Sequence, residues 1–163
     1  CLRLMQVDPH LPTHSTSTEI HMKPIGTLLK TAHGQFWSVS PEDTVFNALQ
    51  LLAQHEVGAL MVMQDGKLVG VVSERDYTRK VALQGRNSKD TRVADIMTAN
   101  VFVVSPQSGT RDCMALMREK RIRHLPVVQA GQVLGMISIR DLMDDLIHDH
   151  EMTIAQLESY IHS

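Results

Sequence analysis

GVVSERD, residues 70–76, and GMISIRD, residues 135–141, are one phrase written twice. Each is a short apolar run, a Ser, two residues and an Asp, and the second copy follows the first by 65 positions. The same shift aligns the chain with itself without gaps well beyond these motifs. Ser40-Pro41 falls on Ser105-Pro106, Leu60 on Leu125, Val62 on Val127, Gly66 on Gly131 and Gly70 on Gly135. A fixed period of this length marks two copies of one supersecondary unit, each with an apolar face that the other has to cover.

Each copy reads alike. A short extended piece ends in Ser-Pro, WSVSP and then VFVVSP. Proline disfavours helix in the residue before it, so a helix follows. Val45, Ala48, Leu49 and Leu52 share one helical face, and Thr110, Cys113, Met114 and Met117 take the same places in the second copy. Next come an apolar strand, a turn at Asp65-Gly66 or Ala130-Gly131, and a return strand, KLVGVVS or QVLGMIS. Asp-Gly between apolar runs signals a hairpin because Gly accepts positive φ. A second helix starts at the Ser and runs from Arg75 to about Leu83, or onward from Arg140. The expected fold is α+β, two β-α-β-β-α repeats related by a pseudo-twofold.

Residues 22–92 form the first repeat and 93–148 the second. IGTLLK opens the first and VADIMT the second. Residues 149–163 extend the last helix, with Leu142, Leu146, Ile147, Ile154, Leu157 and Ile161 at helical spacing. A helix that outruns its lobe packs either on a partner subunit or back on its own lobe. Residues 1–21 lack periodicity and are read as a flexible tail or expression leader, with Met22 as the natural start.

Composition narrows the function. No apolar run approaches the ~18 residues of a membrane span, and a net charge of −2 gives no nucleic-acid-binding field. Cys1 and Cys113 are far apart, with no CxxC, so neither disulfide framework nor zinc site is implied. A reducing cytosol is the default setting. HExxH, GxxxxGK[ST] and GxGxxG are absent, and no Ser-His-Asp or Cys-His spacing appears, so the chain is not read as an enzyme. Cys113 lies on an inward helical face and reads as core.

Taken together, SPEDTV, VGALMV, DGKLVGVVSERD, VADIMT, IRHLPVV and GQVLGMISIRDL make the chain resemble a CBS-domain pair, the module named for cystathionine β-synthase. The resemblance covers about residues 24–148 and is strongest to small stand-alone pairs. It implies a usually dimeric α+β module that binds adenine nucleotides in clefts between its lobes: AMP, or a related ligand such as ADP, ATP or NAD(H).

The Ser-x-x-Asp pairs fit that chemistry. Ser and Asp three apart at a helix start face the same way. A carboxylate accepts from both hydroxyls of a ribose, so Ser73 with Asp76 and Ser138 with Asp141 are the ribose-binding candidates. The same spacing is also that of a capping box, which needs no ligand. Phosphate calls for cations. Arg123 and His124 replace Gly58-Ala59 at the start of the second strand, so a split site is expected, Asp76 on the ribose with Arg123 and His124 on the phosphate. Asp141 would meet Gly58-Ala59 and form the weaker site. Arg75, Arg140 and Lys80 are further phosphate candidates, and Gly58, Ala59, Val101, Val103 and Ile122 the adenine pocket.

The reading is a non-catalytic adenine-nucleotide sensor, homodimeric, that signals by lobe or dimer rearrangement to an unknown protein. It takes no metal, nucleic acid or membrane as partner. The alternatives are a constitutive dimerisation scaffold with vestigial clefts and, more remotely, a hydrolase of the bound nucleotide.

Overall fold

The structure is a computed structural model that describes residues 5–6, 23–31 and 36–162. The leader expected at 1–21 therefore lies outside the described residues, apart from Met5–Gln6.

Both repeats fold as their periodicity requires. In the first, strand β2 (Ser38–Val39) leads to helix α2 (Val45–His55) and the hairpin β3 (Ala59–Gln64) and β4 (Lys67–Ser73). In the second, β5 (Phe102–Val103) leads to α4 (Thr110–Lys120) and the hairpin β6 (His124–Gln129) and β7 (Gln132–Ser138). β2 runs parallel to β3, and Val104 beside β5 bridges in parallel to Val127 of β6. β1 (Met5–Gln6) pairs in parallel with β5. The apolar helical faces turn inward: Val45, Ala48 and Leu52 are buried in α2, and Cys113 and Met117 in α4. Leu49 and Met114 pack half-buried on the same cores.

The hairpins agree in detail. Both turn residues have positive φ, 51° and 74° at Asp65-Gly66 and 50° and 76° at Ala130-Gly131, as a type I′ turn demands. Each hairpin carries the same register shift, between Val62 and Met63 and between Val127 and Val128.

Repeat and lobe do not coincide. Helix α1 (Ile25–Thr31) opens the first repeat, yet Ile25 and Leu29 are buried in the second lobe with Cys113, Leu125, Ile137 and Leu142. VADIMT opens the second repeat, yet Val93, on a single 3₁₀ turn, and Ile96, which caps it, are buried in the first lobe with Leu52, Leu60 and Val72. The leading segments are exchanged. A third cluster of Met61, Leu68, Val101 and Val103, flanked by Val128 and Met136, joins the lobes.

Gly70 and Gly135, the first letters of the repeated phrase, make the exchange possible. A Cβ at Gly70 would lie 2.7 Å from the Met97 Sδ and 3.2 Å from the Thr98 carbonyl oxygen. One at Gly135 would lie 2.9 Å from Leu29 Cδ2. Thr98 also pairs with Val71 of β4 through both backbone bonds.

At the lobe junction the start of β3 meets the start of β6. A Cβ on Gly58 would come 3.2 Å from His124 Cε1. His124 is held below its ordinary pKa, first by burial; Asp141 pulls the other way and Arg123 adds to the lowering.

Three outcomes are expected. Gly70→Val places branched carbon against Met97 and the Thr98 backbone, costing about 1–3 kcal/mol in urea denaturation. Ala130→Asn relieves left-handed strain and matches the preferred turn residue, raising stability by roughly 0.5–1 kcal/mol in the same assay. His124 contributes no penalty above its unfolded value near ~6.5. As pH falls below that, the unfolded chain takes the proton first and stability is lost down to the folded pKa. His124→Gln should therefore lose less stability than the native chain between about pH 7.5 and 5.5.

Candidate functional site

Each Ser-x-x-Asp lies where a return strand turns into a helix. Ser73 is extended, with φ −129°, and caps α3 (Glu74–Tyr77). Ser138 ends β7 and α5 (Ile139–His162) begins at the next residue. The capping alternative is realised in both copies. The Ser73 N–H and hydroxyl each donate to Asp76 Oδ2 at 2.9 Å, while the Asp76 N–H donates back to Ser73 Oγ at 3.3 Å. In the second copy the corresponding distances are 2.7, 2.8 and 3.2 Å.

Capping uses one carboxylate oxygen and leaves the other, and there the copies part. Lys80 Nζ donates to Asp76 Oδ1 at 2.8 Å and to the Ile96 carbonyl at 2.6 Å. Lys80 lies on a π turn, Thr78–Ala82, that continues α3 where the sequence predicts ordinary helix to about Leu83. Shifted by one repeat, Lys80 becomes Asp145, which with Asp149 instead takes Lys23, at 3.3 and 2.6 Å. These two carboxylates raise the Lys23 pKa. Among the described residues no protein donor reaches the second oxygen of Asp141.

The strand starts hold the helix starts. The Glu74 N–H donates to the Gly58 carbonyl at 3.2 Å and the Ile139 N–H to the Arg123 carbonyl at 2.8 Å. Gly58 and Arg123 thus sit against the Ser-x-x-Asp of their own copies. At these strand and helix starts, Gly58 meets His124 of the other copy, and the Arg121 carbonyl of the other copy accepts from Arg75 Nη1 at 2.9 Å. Among the described residues no hydrogen bond or ion pair joins Asp76 to Arg123 or His124.

The side chains of Arg123 and Arg140 are exposed. Ala59 is buried, Val101 and Val103 lie in the cluster that joins the lobes, and Ile122 packs half-buried on the second core. The part of Lys80 escaped the motif reading, although Asp76 and Lys80 are four apart, the spacing at which helical side chains meet. Lys23 carried no such signal, since its partners lie more than a hundred residues away.

Cys113 is fully buried, and burial above all, with Asp112 nearby, pushes its thiol up to about 12, far from a nucleophile's range. No group of three or more His, Cys, Asp or Glu side chains among the described residues is placed to hold a metal. No helix among them is long and apolar enough to cross a membrane.

Comparison with known proteins agrees with this architecture. The CBS domain family model matches residues 30–83 and 93–148. "CBS domain-containing protein CBSX3, mitochondrial" of Arabidopsis thaliana is 40% identical over 137 residues, 81% of this chain and 66% of that protein. The chain thus spans about two thirds of that relative. A solved CBS-domain protein from Burkholderia ambifaria MC40-6, named for signal transduction, superposes with a TM-score of 0.74 at 45% identity. The superposition covers 77% of this chain and 94% of that one. The CBS domain pair of MJ0100, solved with 5′-methylthioadenosine and S-adenosyl-L-methionine, shares the fold, with a TM-score of 0.63 at 22% identity, over 69% of this chain and 88% of its own. With both repeats matched and each lobe completed by the other's leading segment, the chain belongs to the CBS-domain family as a tandem pair.

Proposed function

We propose that this chain is a non-catalytic regulatory module that binds an adenosine nucleotide, with the Asp141 cleft as its more accessible site. The observation that carries this reading is the second oxygen of Asp141. It lies beside a helix start, on a carboxylate already oriented by Ser138, and no described side chain occupies it. An oriented carboxylate with one oxygen to spare suits a ribose diol. Exposed Arg140 precedes Asp141 in the chain, and exposed Arg123 is tied to the same helix start through the Ile139 N–H; both are the phosphate donors of this reading. The adenosyl ligands of MJ0100 agree with that class of molecule.

In the Asp76 cleft the sugar has to displace Lys80, or Lys80 has to turn to the phosphate. Either way the two clefts are unequal, with the order reversed from the expectation of a weaker Asp141 site. AMP is the simplest ligand of this kind, and ADP, ATP and NAD(H) share its adenosine. The module acts as a homodimer in a reducing cytosol and signals to a protein partner by a change of lobe angle or dimer packing. That change is bounded by the ligand's differential affinity for the two shapes.

One observation favours a second reading, a constitutive scaffold. Both capping boxes are closed by the chain's own Ser and Asp groups, which gives each Asp a structural use of its own.

Calorimetry with AMP, ATP, NAD and S-adenosylmethionine separates the two. On the nucleotide reading, Asp141→Asn weakens the tightest adenosine ligand by roughly 5–150-fold, the equivalent of ~1–3 kcal/mol. The 2′-deoxy analogue loses a similar amount, and Lys80→Ala strengthens or adds the second binding event. A folded native chain that takes up no adenosine compound overturns the nucleotide reading in favour of the scaffold.

A further inference from the structure

Helix α5 leaves its lobe after its first turns. Leu142 is fully buried in the second core, and Asp145 and Asp149 face Lys23. From His150 to His162 every residue is exposed. Along α5, Met143, Ile147, His150, Ile154, Leu157 and Ile161 recur at alternating spacings of four and three. That is the 3.5-residue period of a coiled-coil seam. At ~100° per residue these six centre about 100° around the helix from Leu142 and farther still from Asp145 and Asp149. The lobe that carries the seam leaves it uncovered among the described residues. Its five apolar members are 49–76% exposed.

The residue choice points to the occupant. Ile147, Ile154 and Ile161 take one inward position of the heptad, and Met143, His150 and Leu157 the other. Isoleucine throughout the first position, with leucine at 157 in the second, is in keeping with two parallel strands. Asp144, Glu151 and Glu158 flank the seam on one side, and Leu146, Thr153 and Tyr160 on the other. An antiparallel pair sets the acidic row against its own copy, whereas a parallel pair sets it against the neutral row. The acidic charge of α5, six carboxylates against Arg140, also opposes an anionic lipid surface.

We propose that a second copy of this chain covers the seam, α5 pairing with α5 as a parallel two-stranded coiled coil over residues 143–161. His150 of each chain forms the third of the six layers, a polar inward residue that sets register at some cost in affinity. The pairing builds on the homodimer of the proposed function but needs no nucleotide.

The test reads α5 directly. In a Cys1→Ser background, with native Cys113 buried, Ile161→Cys should oxidise to a disulfide-linked dimer, because the two copies of residue 161 face each other. In an antiparallel pair residue 161 would lie opposite 143, about 27 Å away along the helix. Sedimentation equilibrium of the full chain should show His150→Leu tightening dimerisation by roughly tenfold and Ile154→Asp loosening it at least as much. The circular dichroism of both variants shows that the lobes stay folded, and His150→Leu carries the test alone if Ile154→Asp does not fold. Three results overturn the coil: no Ile161→Cys dimer, a disulfide only in mixtures of Met143→Cys with Ile161→Cys, or association indifferent to both substitutions. In the last case an unaltered dimer leaves the homodimer standing without the coil, whereas a monomeric native chain removes both.

Discussion

The close approach of backbone to side chain at Gly70 and Gly135 is the constraint on which the rest of the molecule depends. Each return strand is bare at one point, and there the segment that opens the other repeat crosses it, Met97 and Thr98 over Gly70, Leu29 over Gly135. Val93 and Ile96 then complete the first core, and Ile25 and Leu29 the second. A lobe assembled in this way has no complete core without its partner's leading segment. Large side chains fill both cores to near-zero exposure, so even one added carbon at the crossing has to move something.

The exchange also sets the surroundings of the two capping aspartates. The 3₁₀ turn that delivers Val93 and Ile96 brings the Ile96 carbonyl to Lys80, and the ammonium then bridges that carbonyl and the outer oxygen of Asp76. In the other lobe α1 delivers its own cation, Lys23, but to Asp145 and Asp149 one turn or more beyond Asp141. Two copies of one motif thus acquire different electrostatic surroundings from the segments that cross them. A cap that employs a single carboxylate oxygen leaves the other to whatever cation or diol is near, so capping and ligand binding are compatible uses of one side chain.

The hairpins and helices were legible in the residues because their causes are local. Asp65-Gly66 and Ala130-Gly131 both adopt the left-handed pair of angles, although Ala has no intrinsic taste for it, since the strands on either side dictate the turn. Val45, Ala48 and Leu52, or Cys113 and Met117, had to share a face at 3.6 residues per turn. Both Ser-x-x-Asp boxes formed where their spacing put them. The π turn at Thr78–Ala82 was not legible, because its one extra residue per turn leaves no mark on apolar spacing over so short a span.

Sequence by itself determined the repeat, the order of elements, the inward faces and the position of each capping aspartate. All of these follow from periodicity and from contacts within a few residues. Tertiary structure alone decided which lobe each leading segment completes, that Lys23 reaches Asp145 and Asp149, that Arg75 reaches the Arg121 carbonyl, and that Gly58 lies against His124. Those pairings join residues far apart in the chain, and their energies depend on how two whole lobes fit together. A pattern read along one dimension carries no measure of that fit.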